Sequence, residues 1–388
     1  MNNSSCFDFD RAVERRDTAS MKWDKYKGKD IIPLWVADMD FCSPPAVIDA
    51  LHKRVTHGVF GYSRPPDDLN EIVAAMLKTE FGWSVKPQWL RWLPGLVTGL
   101  NVACRAVGKD DDSVMTAVPI YPPFLSAPGN SRRKIIKVPL WEKDNRWGLD
   151  FDRLENAITA DTRLFLLCNP HNPVGRAFSR NELTTLAGIC EKHDIVICSD
   201  EIHCGLLLDK DKTHIPTATL GPEVAKRTIT LMSPSKTFNL PGLGCAFAII
   251  SEEKLRRRFV AAMAGIVPSV NTMGFTAAAA AYRNCSDWHA GLLDYLRGNR
   301  DTVARAVGEM PLLSLNPVEA TFLAWIDMRA SDLKKPVKFF EDAGVGLQDG
   351  IEFDGRGFVR LNFGCARALL EKALQRMSSA LERYLHSK

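Results

Sequence analysis

The sequence predicts an α/β protein with a mostly parallel sheet in a large domain, followed by a smaller α+β domain. Three observations carry this. Between Trp89 and Ile250, short and wholly apolar strands alternate with helical stretches, the pattern of a sheet covered on both faces. After residues 277–281 the rhythm changes to one long helix and then to a different mixture of strands and helices. With 388 residues the chain is long enough to bury a large core and to divide. The expected division is an arm over 1–45 that joins the small domain, a large domain over 46–284 and a small domain over 285–388.

Residues 1–45 read as irregular chain leading into Trp35-Val36-Ala37-Asp38-Met39-Asp40-Phe41 and closed by Ser43-Pro44-Pro45. Two acids among Trp35, Met39 and Phe41 are unusual for a plain strand, and a turn with Asp caps accounts for them equally well. Leu69, Ile72, Val73, Met76, Leu77 and Phe81 recur at helical spacing up to Gly82, which predicts an amphipathic helix with a glycine stop. Pro94-Gly95 then opens a helix with Val97, Leu100, Cys104 and Val107 on one face, ended by Gly108. Strands are expected at 114–118, 135–140 and 164–168. Ser179 and Glu182 have the spacing of a capping box, and Leu183, Leu186 and Cys190 form the buried stripe of its helix. Strands at 195–198, 229–232 and 246–250 complete the large sheet. Trp288, Leu292, Tyr295, Leu296, Val303 and Val307 mark the long helix. Strands at 321–326 and 358–363 follow, with helices near 336–343 and through Leu370, Leu374, Met377, Leu381 and Leu385.

Composition narrows the function classes. A 46% hydrophobic, 25% charged chain falls among soluble globular proteins. Its net charge of +4 is small, and the runs Arg256-Arg257-Arg258 and Arg132-Arg133-Lys134 read as solvated faces, so no nucleic-acid partner is expected. No apolar segment approaches the length that spans a bilayer, so no membrane is expected. Residues 1–16 carry many charges and lack the apolar core of a signal peptide. Ten cysteines are scattered singly, several inside apolar runs, which points to a reduced, cytoplasmic protein.

The chemistry centres on Ser233-Pro234-Ser235-Lys236-Thr237-Phe238-Asn239-Leu240-Pro241-Gly242, which follows the strand at 229–232. A lysine placed so is often a solvated surface residue. Held beside apolar groups, its charge is disfavoured, its pKa falls, and the amine becomes a base or a Schiff-base nucleophile. Other candidates stand near strand ends, where ligands of open parallel sheets bind. Asp200, in Ser199-Asp200-Glu201-Ile202-His203, is an N-cap, a solvated acid or an anion for a bound cation. Asn172 stands in Asn169-Pro170-His171-Asn172-Pro173, which reads as consecutive turns. Tyr121, in Pro119-Ile120-Tyr121-Pro122, is a core aromatic or a flat wall. The amides of Gly95, Leu96 and Val97 open a helix, where unpaired N–H groups and the dipole favour an anion. Arg360 interrupts the apolar run Phe358-Val359-Arg360-Leu361 and requires an anionic partner, either an internal salt bridge or a ligand carboxylate. His203-Cys204 has no second ligand pair at usable spacing, so no metal is expected. Gly242-x-Gly244 lacks the remaining glycine of a dinucleotide fingerprint.

The run at 233–242 resembles the lysine segment of fold-type I pyridoxal-phosphate enzymes, the aspartate aminotransferase superfamily. Within it the chain is most similar to the cystathionine β-lyase group of MalY/PatB-type C–S lyases. The resemblance extends from residues 35–41 to Gly364. It implies the fold-type I PLP-dependent transferase fold and the cofactor pyridoxal 5′-phosphate. It further implies Lys236 as the Schiff-base lysine, Asp200 against the pyridine nitrogen, Asn172 at the ring oxygen with His203 nearby, and Tyr121 as the flat partner of the ring. Ser233 and the amides of Gly95, Leu96 and Val97 would hold the phosphate. By the same resemblance Arg360 takes the substrate α-carboxylate. Tyr62, in Gly61-Tyr62-Ser63, would contact the phosphate of a neighbouring subunit, which implies a homodimer with shared active sites.

One scaffold serves transamination, elimination and decarboxylation, so the fold does not settle the reaction. Many aminotransferases place an arginine eight residues after the lysine, where Gly244 stands here, and a tyrosine where His203 stands. Both departures resemble the C–S lyases. The expected reaction is α,β-elimination of cystathionine or a related S-substituted cysteine to thiol, pyruvate and ammonia, with Lys236 as general base. A class I/II aminotransferase is the alternative, and a regulatory protein that uses the same fold to bind a partner is a further one.

Overall fold

The computed structural model describes residues 7–387. Its strands, in chain order, are β1 (Ile32–Pro33), β2 (Leu90–Leu93), β3 (Ser113–Val118), β4 (Lys134–Pro139), β5 (Trp141–Lys143), β6 (Arg146–Gly148), β7 (Thr162–Cys168) and β8 (Val196–Asp200). They continue with β9 (Thr228–Met232), β10 (Ala246–Ile249), β11 (Ser314–Leu315), β12 (Leu323–Asp327), β13 (Val345–Gly346), β14 (Gln348–Asp349) and β15 (Phe358–Asn362).

Seven strands form the large sheet in the order β2-β10-β9-β8-β7-β3-β4. From β9 to β4 the pairing is parallel; β3, β7, β8 and β9 are largely buried, as in a sheet covered on both faces, while the edge strand β4 exposes Lys134 and Lys137. Strand β10 runs antiparallel to both its neighbours. The cause is local. The connection over 233–245 contains only a short 3₁₀ turn at Pro241–Leu243, whereas a parallel return needs a full crossover, usually a helix. The edge strand β2 has no counterpart in the sequence reading, because Arg91 and Trp92 dilute its apolar run.

Helices cover the sheet. Leu96–Ala106 and Glu253–Met263 pack on one face, with Leu96, Leu100, Ala103 and Cys104 buried against β8 and β9. A Cβ at Gly99 would meet the Leu231 methyls at 3.0 Å, so glycine permits this close approach. Val97, expected on the buried face, is 43% exposed, because the packed stripe runs through Leu96, Gly99, Leu100 and Ala103 instead. The opposite face carries Arg180–Lys192, whose Ser179/Glu182 capping box forms as the spacing predicts. Leu69–Phe81 ends at Gly82 in the left-handed region (φ 64), also as predicted. Pro45–His57 is a helix the sequence did not reveal, since Val47 is its one buried residue.

The C-terminal strands build an antiparallel sheet, β11-β12-β15-β14, packed with the helices Ser286–Glu309 and Arg367–His386. The arm adds to this region: β1 pairs in parallel with β13, and Asn362 N–H donates to the Leu34 carbonyl. Asp38 and Asp40 cap no turn. They hold Arg15 and the buried Lys22, because two cations from the arm reach them first.

Candidate active site

The carboxyl ends of β3, β7, β8 and β9 open into one cleft of about 450 Å³, roofed by residues 35–37 of the arm and by Arg360 from β15. Tyr121, Asn172, Asp200, His203, Lys236 and Arg360 all line it. Leu96 and Val97 line it from the start of their helix, next to Pro94. Gly95 is the N-cap of that helix, with extended backbone (φ 176) and open space where a Cβ would stand.

Lys236 Nζ donates to the Ala37 carbonyl at 2.5 Å. Its pKa is lowered to about 8, by burial first and then by the Arg360 charge, while Asp38 and Asp200 oppose the shift. Asp200 is pushed the other way, up to about 7. Burial is the main cause; the Ile202 amide (3.1 Å) opposes it, the adjacent Glu201 charge adds to it, and Lys236 opposes it. An acid in this position is starved of a cation and is ready to accept one.

His203 stays neutral, its pKa pushed down to about 3 by burial and then by the Lys236 and Arg360 charges. Its Nδ1 is buried without a hydrogen-bond partner. Tyr121 is raised above the usual phenol value by burial, with Asp200 adding to the shift and Arg360 opposing it.

Arg360 donates from Nη1 to Asn172 Oδ1 at 3.0 Å and from Nη2 to the Trp35 carbonyl at 3.1 Å, with a further bond to Gln348 Oε1. Its guanidinium lies 4.7 Å from the Phe353 ring centroid. No ion pair among the described residues includes it, which removes the internal salt bridge as an explanation. Its Nε–H is buried and unpartnered, and burial lowers its pKa to about 10. A carboxylate is the ligand that such a group lacks.

Two expected residues stand elsewhere. Ser233 Oγ donates to the Cys245 carbonyl at 2.7 Å, and Ser233 lines a separate cavity behind the lysine segment. Ser235, with its hydroxyl 2.9 Å from Ser233 Oγ, lines the cleft in its place. Tyr62 is fully exposed and is not among the cleft residues of this chain.

Sequence reasoning missed three contributors. Glu201 is fully buried behind Asp200, where it accepts from Ser199 Oγ (2.8 Å), Thr217 N (3.0 Å) and His214 Nε2 (2.8 Å). A second acid directly after Asp200 was its signal. Gln348, on the two-residue β14, gave none. Ala37 lay inside a segment singled out for its acids rather than for its carbonyl.

Residues 29–377 match the family model described as aminotransferase class I and II. The chain belongs to this family. Among members with solved structures, a protein named OvoB is 46% identical, with a TM-score of 0.95 over 97% of this chain and 99% of that one. The PLP-bound C–S lyase of Staphylococcus hominis is 31% identical, with a TM-score of 0.91 over 97% and 98%. Cystathionine β-lyase PatB of Bacillus subtilis is 36% identical over 96% of this chain and 99% of its own length. These likenesses establish the fold-type I PLP-dependent transferase fold for this member of the family.

The residues present fit pyridoxal phosphate. Lys236 is a low-pKa amine for the aldehyde, Asp200 a buried acid without a cation partner, and His203 Nδ1 an orphaned polar atom in the same cleft. The free amides at Gly95, Leu96 and Val97 stand where a phosphate would find a helix N-terminus, with the Ser235 hydroxyl across the cleft.

Proposed function

We propose that this protein is a PLP-dependent C–S β-lyase that eliminates the sulfur substituent from cystathionine or a related S-substituted cysteine. The observation that carries the reading is Lys236, an amine with a pKa of about 8 set in one cleft with Asp200 and an arginine that lacks a carboxylate. When bound, pyridoxal phosphate supplies an electron sink for the substrate α-carbon. Asp200, as carboxylate, holds the proton on the pyridine nitrogen that keeps this sink effective. Arg360 takes the α-carboxylate through its free Nε–H. Lys236 Nζ accepts the α-proton, the Cβ–S bond breaks with its electrons leaving on the thiolate, and 2-aminoacrylate hydrolyses to pyruvate and ammonia. Asn172 and Tyr121 position the ring, and neutral His203 offers it a wall and one hydrogen bond.

Gly244 favours elimination over transamination. It lines the cleft at φ 58, with its Cβ position 3.0 Å from the Pro94 carbonyl, so an arginine there would be strained. Homodimeric assembly with Tyr62 shared between subunits, the division at 45 and 285, and residence in the cytoplasm belong to the same reading. Among the described residues, nine cysteines free of disulfides support the last of these.

Incubation with L-cystathionine tests the function. The expected result is stoichiometric thiol and pyruvate, at least a thousandfold slower in Lys236→Ala, as expected for loss of the general base and Schiff-base amine (roughly 10² or more each). Formation of a new amino acid from an added keto acid, with no thiol, would instead make it an aminotransferase.

A further inference from the structure

The paired acids of residues 35–41 have no part in the function so far, yet this segment touches both reactive groups of the cleft. The Trp35 carbonyl accepts from Arg360, and the Ala37 carbonyl accepts from Lys236 Nζ. The segment is held from three sides. Asn239, three residues after the lysine, accepts from Met39 N–H at 3.0 Å and donates to the Met39 and Phe41 carbonyls at 3.0 and 2.8 Å. Asn362, from β15, donates to the Val36 and Asp38 carbonyls at 2.6 and 2.8 Å. From the arm, Arg15 bridges Asp38 and Asp40 at 2.5 Å each, while buried Lys22 binds Asp40 at 2.7 Å and the Asp38 carbonyl at 3.1 Å.

Such a density of bonds exceeds what a connecting segment needs. Asp38 Oδ2 is taken by Arg15, but Oδ1 is buried and unpartnered. A buried carboxylate oxygen left bare is costly unless its charge acts on something. The charged and titratable groups acting on Lys236 Nζ are Arg360, Asp38 and Asp200, and the lysine in turn acts on His203; Tyr121, Glu352, Cys168 and Cys245 line the same cleft. Of the two anions, Asp200 is committed to the pyridine nitrogen under the proposed reading. Asp38 follows directly on Ala37, whose carbonyl holds Nζ, and with Oδ2 paired to Arg15 it is the anion left to the lysine through its bare Oδ1.

We propose that Asp38 is a positioning residue for Lys236: clamped by Arg15 and Asn362, it stabilises the lysine ammonium, which the Ala37 carbonyl holds in place once the amine has accepted a proton. The role of that proton in elimination rests on the lyase reading. The electrostatic coupling itself does not, and this allows the two to be tested apart. Losing Asp38 leaves Arg360 less opposed, so the ammonium becomes a stronger acid and the amine is neutral at lower pH.

The test is trace acetylation of the full chain, cofactor removed, across pH, read at the Lys236 peptide by mass spectrometry. The same variants are assayed with PLP for thiol release. Wild type is expected to titrate near pH 8. Asp38→Asn is expected to titrate lower by about 0.5 unit or more, with Asp38→Glu returning toward wild type. The acid limb of kcat moves in the same direction. Asn239→Ser keeps every charge but loosens the segment, and is expected to shift the midpoint in the same sense; it serves as the second probe if the Asn variant folds poorly. A midpoint unchanged within about 0.2 unit in both variants overturns the proposal. A shifted midpoint in a protein that releases no thiol overturns the lyase reading and leaves the coupling standing.

Discussion

Asp200 is a carboxylate that burial disfavours and that, under the proposed reading, a bound cofactor needs, so its position trades stability for function. Its value near 7 in the folded chain lies above its ordinary 3.8. The folded state therefore binds this proton more tightly than the unfolded state, and the cofactor-free protein loses stability as pH rises from about 4 to about 7. Asp200→Asn removes that loss. At pH 8 the cofactor-free variant is expected to melt above wild type by about 2–4 °C per kcal/mol recovered, and the gap is expected to close as the pH falls toward 4. On the proposed reading, added PLP reverses the order, raising the wild-type melting temperature more than the variant's, because only a carboxylate at this position would pair with the pyridine nitrogen. Thermal melts at two pH values, with and without PLP, read both effects. A variant no more stable than wild type at pH 8 would mean that Asp200 already has a cation partner without cofactor.

At the level of elements, the loop after β9 and the start of the Leu96–Ala106 helix act as one unit. Gly244 stands at φ 58 and its missing Cβ makes room for the Pro94 carbonyl, which precedes the helix N-cap Gly95. Gly244→Ala must accept left-handed strain of about 1–3 kcal/mol or displace Pro94. Displacement tilts the helix N-terminal amides that, under the proposed reading, take the phosphate. The expected result is a PLP Kd raised about tenfold in an absorbance titration, with a smaller loss in melting temperature. The elements themselves were largely legible: apolar runs of strand length, the Ser179/Glu182 box and the Gly82 stop are local signals that survive folding. What escaped depends on distant partners. Which hydroxyl of Ser233 and Ser235 reaches the cleft is decided by the Cys245 carbonyl, which captures Ser233 from the start of β10. The reversed direction of β10 and the Asp38–Arg15 clamp are likewise set by partners that no spacing reveals.

For the whole molecule, the cleft residues Lys236, Asp200, Asn172 and Arg360 come together from segments far apart in sequence; position near a strand end made the first three legible, and an arginine inside an apolar strand made Arg360 so. Tyr62 does not join them in one chain. It stands exposed after the Pro45–His57 helix, with Val55, Val59 and Phe60 also bare, an apolar patch of the kind that subunit interfaces cover. If a two-fold partner covers it, each cleft combines Lys236 of one chain with Tyr62 of the other. Mixing two single variants tests this directly. Lys236→Ala and Tyr62→Ala chains, co-refolded in equal amounts, give about half mixed dimers, and each mixed dimer carries one site with both residues intact. The expected thiol-release rate at limiting PLP is then about a quarter of wild type, above the mean of the two parents. A rate equal to that mean would show that Tyr62 serves its own chain or none.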